Sequence, residues 1–205
     1  MVTASLRCIA ATPMMQSPAP PPATPAPPPA AAPPPRWNGQ PIVLVGLMGA
    51  GKSTVGRRLA TQLRLPFVDA DTEIEQAAGM SISEIFAKFG ESYFRDGERR
   101  VIGRLMDGTP KVIATGGGAF VNEDTRALIL AEALAIWLDA SIDVLVDRVS
   151  KRSHRPLLHG KDAATVLREL AAVRNPLYAL APIRVSSNNV PHDITVRTIM
   201  EAIGR

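Results

Sequence analysis

The octet Gly46-Leu47-Met48-Gly49-Ala50-Gly51-Lys52-Ser53, followed by Thr54, matches the phosphate-loop pattern G-x-x-x-x-G-K-[ST]. The apolar run Ile42-Val43-Leu44-Val45 enters it and an amphipathic run from Thr54 to Leu63 leaves it, which is the strand-to-helix setting the pattern requires. Glycines at 46, 49 and 51 admit backbone conformations that a side chain would block, and they bring successive N–H groups to phosphate oxygens. The helix that follows points its positive dipole end at the same anion. Lys52 supplies a mobile point charge that can follow a phosphoryl group in transfer, and the Ser53 hydroxyl suits a magnesium coordination position. A glycine-rich turn carrying a stray lysine is the alternative, but it would not need the whole octet between a strand and a helix.

Further residues could complete such a cradle. Asp69 and Asp71 stand two apart at the end of a short apolar run, so in an extended segment their side chains lean the same way. One could face a magnesium ion near Ser53 and the other an acceptor hydroxyl, or Asp71 could simply cap the next helix. Arg95 and Glu98 share a helix face, as a functional pair or as an ordinary surface ion pair, and spacing alone favours the ion pair. Gly116, Gly117 and Gly118 follow a third apolar run, where a backbone without side chains lets a ligand lie directly on it. Arg155 falls in a loop and Arg174 on the helix after it. An arginine that swings onto the γ-phosphate would neutralise transition-state charge, and a second could hold a carboxylate in a bidentate contact, or both could be solvated surface charges. His154 and His159, in the same loop, read as surface residues. Asp139, ending Leu134-Ala135-Ile136-Trp137-Leu138, competes with Asp69 for the metal.

From Gln40 onward, short apolar runs alternate with helical patterns, which predicts βαβ units and a parallel sheet covered on both faces. Strands are expected at about 42–46, 66–69, 111–115, 133–138 and 183–185. Helices are expected at 52–63, from near 71, from 82 to 89 behind the S-x-x-E capping box of Ser81 and Glu84, at 91–106, after Asn122, at 141–149, at 162–180 and at 193–203. Residues 151–161 hold Pro156, Gly160 and many charges, and read as a mobile loop. The fold class is α/β, a five-stranded parallel sheet flanked by helices, with ligands along the carboxyl ends of its strands.

Composition narrows the function classes. Proline and alanine dominate the first 35 of the 205 residues, Arg7 is their only charge before Arg36, and they show no apolar periodicity. Residues 1–38 are therefore expected to form a disordered tail, with no secretory h-region and too few arginines for a transit helix. Residues 39–205 suit one domain. Cys8, the sole cysteine, lies in the tail, which leaves the domain no disulfide, thiolate metal site or cysteine nucleophile and suits a reducing cytoplasm. No apolar run approaches the length of a membrane span. The net charge of +4 comes with scattered arginines, which fits an anionic small molecule and not nucleic acid.

The octet, the Asp69–Asp71 pair, Phe94-Arg95-x-x-Glu98, the glycine triplet, Arg155-Pro156-Leu157-Leu158 and Arg174-x-Pro176-Leu177-Tyr178 together resemble the shikimate kinases, in the same order over nearly all of 40–205. The resemblance implies a three-layer P-loop kinase fold like that of the nucleoside monophosphate kinases, with a mobile lid at about 150–162. It implies a monomeric, cytoplasmic enzyme that moves the γ-phosphoryl of ATP to the 3-hydroxyl of shikimate, using one Mg2+. By position it makes Lys52, Asp71 and Arg155 catalytic, and Gly49, Ala50, Gly51, Lys52, Ser53, Thr54, Arg148, Arg155 and Pro191 the ATP contacts. Asp71, Arg95, Gly117, Gly118 and Arg174 would bind shikimate, and Ser53 and Asp69 the metal. Two features depart from the pattern: Ala70 stands where many relatives have threonine, and Gly97 interrupts a helix at a cost of about 1 kcal/mol relative to alanine. Another small-molecule kinase on this scaffold, acting on gluconate or a nucleoside monophosphate, and a nucleotide-dependent module without catalysis are the other readings. The acceptor set argues against both.

Overall fold

The computed structural model describes residues 36–151 and 162–205. Residues 1–35, and residues 152–161 of the expected lid with His154, Arg155 and His159, lie outside the described residues. Five strands, β1 (Ile42–Val45), β2 (Phe67–Asp69), β3 (Val112–Ala114), β4 (Leu134–Asp139) and β5 (Ile183–Ser186), form one sheet in the order β2-β3-β1-β4-β5. Every pairing is parallel: Leu44 aligns with Ala114 on one side and Ile136 on the other. The central strands are apolar on both faces because helices cover both. All four side chains of β1 are buried, whereas edge strand β5 alternates buried and exposed residues.

Seven α-helices among the described residues flank the sheet: α1 (Lys52–Leu63), α2 (Ala70–Ala78), α3 (Ile82–Leu105), α4 (Glu123–Glu132), α5 (Ile142–Ser150), α6 (Ala163–Tyr178) and α7 (His192–Ala202). α3 opens with the expected capping box, Ser81 N–H donating to Glu84 Oε2 at 2.8 Å and Glu84 N–H to Ser81 Oγ at 3.3 Å. It is two helices joined at Gly90, whose φ of 79° breaks the spiral at the expected gap between 89 and 91. α1 lies close on the sheet through Gly56, where a Cβ would stand 2.6 Å from the Phe67 ring. Gly97 meets no such neighbour, and nothing in the structure explains its place in α3.

Chain order makes the active edge. β1 and β2 are separated in the sheet by β3, and the chain then crosses from β3 over β1 to β4. The carboxyl ends of β1 and β3 therefore flank a switch point, where loops leave in opposite directions and open a crevice. At the other end of the sheet Trp37 is part of the domain. It packs on the core, its N–H donates to Ile203 O at 3.2 Å, its indole donates to Gln40 O at 2.6 Å, and Arg205 lies over its ring. Removing residues 1–35 is expected to leave the thermal midpoint and the turnover rate unchanged. Removing 1–38 should lower stability by about 1–3 kcal/mol by deleting the Trp37 anchor, as read by denaturant unfolding.

Candidate active site

The phosphate loop leaves β1 with three glycines at positive φ: Gly46 at 138°, Gly49 at 84° and Gly51 at 89°. Gly46 has a second constraint, since a Cβ there would stand 2.5 Å from Leu138 O of β4. Gly51 is the residue before α1, so the free N–H groups of the first helical turn open onto the loop. The Lys52 ammonium donates to Gly46 O at 2.8 Å and Leu47 O at 3.0 Å, arching over the cradle. Ser53 Oγ donates to Asp69 Oδ2 at 2.7 Å. A hydroxyl whose hydrogen is held by a carboxylate keeps its lone pairs for a metal ion.

Asp69 ends β2 and caps α2, its other oxygen accepting from Asp71 N–H at 3.2 Å. The helix thus starts at Ala70, and Asp71 sits inside its first turn instead of in the extended segment that alternation predicted. The cap is Asp69, so Asp71 does not have that duty. Its carboxylate instead lies against Gly116, with Oδ1 2.7 Å from where a Cβ would stand. Asp139, the rival for the metal, pairs with Arg184 at 2.6 Å across β4 and β5.

The glycine triplet beyond β3 receives a different side chain at each position. Asp71 and Glu98 lie at Gly116, Arg174 at Gly117, and the Arg95 guanidinium within 2.6 Å of a Cβ position at Gly118. A side chain at 116 or 118 would displace a charged group. Arg95 Nη1 donates to Glu98 Oε2 at 2.7 Å and its Nη2 to Glu91 Oε1 at 3.0 Å. Glu98 is 2% exposed, so the pair predicted to be either functional or an exposed ion pair is half-buried against the glycine wall. Its Oε1 has no hydrogen-bond partner among the described residues. Burial raises the Glu98 pKa, Arg95 pulls it back, and the nearby Asp71 raises it again.

A cleft of about 340 Å³ runs along this edge, lined by Gly49, Gly51, Lys52, Ser53 and Thr54, then Asp69, Asp71, Thr115, Gly116 and Gly117. Ala50 is buried beneath the loop, where its carbonyl accepts from Ser187 Oγ at 2.7 Å. Arg148 closes the other end, donating to Gly49 O at 3.3 Å and Asn188 O at 2.9 Å, and burial lowers its pKa. His192 and Lys151 line the cleft there, while Pro191 precedes α7 as its cap residue. A larger hollow of about 560 Å³ between α2 and α3 is walled by Ile74, Ile85, Phe94 and Val101. It touches neither Lys52 nor Asp71, so the chemistry belongs to the smaller cleft.

A phosphate loop after the first strand of a parallel sheet, with an acceptor-sized set of charges across the crevice, defines the class: a P-loop kinase acting on a small molecule. The comparisons agree. The family model described as shikimate kinase matches residues 48–204. The chain is 59% identical over 162 residues to the shikimate kinase of Caulobacter vibrioides, covering 79% of this chain and 81% of that one. It is 57% identical over 164 residues to that of Zymomonas mobilis subsp. mobilis, covering 80% and 93%. Its fold matches a shikimate kinase from Acinetobacter baumannii in complex with shikimate, with a TM-score of 0.78 and 35% identity over 81% of this chain and 93% of that one. The chain belongs to the shikimate kinase family. A gluconokinase from Sinorhizobium meliloti, at 20% identity and a TM-score of 0.55, shares the fold alone.

Tyr178, Ser187 and His192 are site residues without an expected role, and for Glu98 only the open pairing with Arg95 is expected. Glu98 and Tyr178 lay within recognised motifs, but only burial shows what they touch. Ser187 and His192 have no local signal. Gly118→Ala should raise the acceptor KM by at least about tenfold by displacing the Arg95 guanidinium, with ADP binding unchanged, as read by steady-state kinetics and titration. Because the folded-state pKa of Glu98 is raised, its contribution to stability is present below its unfolded pKa and is lost as pH rises through the folded value. In denaturant titrations Glu98→Gln should therefore gain stability relative to the parent as pH rises above the ordinary carboxylate range, while weakening acceptor binding through Arg95.

Proposed function

We propose that this chain transfers the γ-phosphoryl of ATP to the 3-hydroxyl of shikimate, giving 3-phosphoshikimate and ADP, a step towards chorismate and the aromatic amino acids. The observation that carries this is the shared crevice. Gly116 and Gly117 line the same cleft as Lys52 and Ser53, and Asp71, Arg174 and Arg95 each lie against one residue of the triplet. Consecutive Cα atoms are about 3.8 Å apart, so these three charges converge on one small volume. A carboxylate facing hydroxyls beside two guanidiniums facing an acid group describes a polyhydroxy acid.

In this reading the loop N–H groups and Lys52 hold the β- and γ-phosphates, Thr54 and Arg148 complete the nucleotide grip, and adenine lies between Arg148 and the loop near Pro191. Asp71 accepts the proton of the attacking hydroxyl as the new O–P bond forms and the bond to the bridging oxygen of ADP breaks. Arg95 and Arg174, with the backbone of Gly117 and Gly118, fix the acid group. Little covalent help from protein is needed, so orientation and charge neutralisation supply most of the acceleration.

Magnesium borne by a nucleotide takes one or two protein oxygens, and phosphate and water supply the rest. Ser53 with Asp69 behind it fits that demand. No cluster of three or more metal-binding side chains is found among the described residues. One such ion would polarise the γ-phosphoryl and offset its charge. Arg155, from the segment between α5 and α6, is assigned to the γ-phosphate on its sequence position, with residues 150–162 as a lid that excludes water. The enzyme works as a monomer in the cytoplasm, and residues 1–38 are dispensable to catalysis. No helix among the described residues is long and apolar enough to cross a membrane.

Coupled ADP release with shikimate, gluconate and AMP offered in turn should show turnover with shikimate alone. Turnover only with gluconate or AMP would refute the assignment. Lys52→Ala should reduce kcat by about 10²-fold or more, and Arg174→Ala should act chiefly on the shikimate KM.

A further inference from the structure

Tyr178 reaches the acceptor side of the site from the last turn of α6 and has no part in the roles above. It is 1% exposed, with its ring between Phe120 and Trp137 at centroid distances of 6.4 and 6.1 Å. Its hydroxyl, however, leaves that apolar setting and donates to Gly117 O. The same carbonyl accepts from Arg174 Nη1 at 3.1 Å. Arg174 and Tyr178 are four apart on one helix, so they reach the glycine from a common face. A carbonyl oxygen has two lone pairs, and here two donors take them.

We propose that Tyr178 is a positioning residue for the acceptor, its hydroxyl sharing the Gly117 carbonyl with Arg174 and so holding both the glycine wall and the Arg174 guanidinium in place. The inference rests on the acceptor site assigned above. A trans peptide is planar, so fixing the Gly117 carbonyl fixes the direction of the Gly118 N–H in the same unit. Glycine has no side chain of its own to set that plane, so the orientation must come from outside the segment. Taking one lone pair of the carbonyl also limits Arg174 to a single bond there, leaving its other N–H groups for an acid. Burial pushes the Tyr178 pKa up to about 12, against the opposing pull of Arg174 and Arg95, so the phenol remains a donor at any working pH.

Tyr178→Phe keeps the ring and its packing and removes only the donor. The shikimate KM is expected to rise about tenfold, with the ATP KM within about twofold of the parent. In a cycle with Arg174→Lys, the double variant should lose less than the product of the two single effects, since both act on one carbonyl. The chain has two tyrosines, so 3-fluorotyrosine incorporated in a Tyr93→Phe background labels Tyr178 alone. Because this replacement retains the hydroxyl, the shikimate KM should stay close to that of the parent. An unchanged shikimate KM in Tyr178→Phe, an equal rise for both substrates, or independent effects in the cycle would each overturn the proposal. The parent enzyme is assayed alongside: failure of the parent to phosphorylate shikimate would refute the assigned activity and not the role of Tyr178.

Discussion

Three consecutive residues without side chains, at the carboxyl end of β3, are the constraint on which this site depends. Charged groups from three elements lie against them: Asp71 of α2 and Arg95 of α3 take the space a Cβ would need at Gly116 and Gly118, and Arg174 of α6 is in ordinary contact at Gly117. The triplet is thus the surface against which three distant segments register their charges. The tight contacts leave little freedom, because charged side chains packed against backbone cannot drift without losing hydrogen bonds or meeting one another. Glu98 shows the electrostatic consequence. It is buried beside Asp71 at a point where two carboxylates would repel, and the Arg95 guanidinium is what makes the arrangement tenable.

The nucleotide half follows a different logic. Its donors are backbone N–H groups whose positions are set by three positive-φ glycines and by the close approach of Gly46 to β4. The two halves meet because β1 and β3 are neighbours in a parallel sheet and their loops leave the same edge. The bond from Ser53 to Asp69 links the loop to β2, and Arg148 links it to the segment after β5. The cradle is therefore tied to both edges of the sheet, which suits a reaction catalysed largely by orientation.

Much of this was legible in the chain. Alternation of apolar runs with amphipathic stretches placed all five strands within a residue or two, and the capping box at Ser81 and the break at Gly90 fell where turn chemistry puts them. The site was legible where its residues are adjacent, as in the loop and the triplet. The Asp69–Asp71 pair was read correctly as to neighbourhood but not as to geometry, because period-2 alternation was extended one residue past the point where the helix begins. The Arg95–Glu98 pair was ambiguous because i,i+3 spacing says which side chains share a face and nothing about what that face meets.

The phosphate loop, the order and kind of the elements, and the family can all be read from the chain alone, because each is written in local spacing or in collinear motifs. Folding alone reveals that Glu98 is buried, that Tyr178 and Arg174 share one carbonyl, that Asp139 pairs with Arg184, and that each glycine of the triplet faces a different charge. These are relations between residues far apart in the chain. Their energies come from desolvation and from contact across the sheet's edge, and no local pattern encodes either until the crossover from β3 to β4 has brought the segments together.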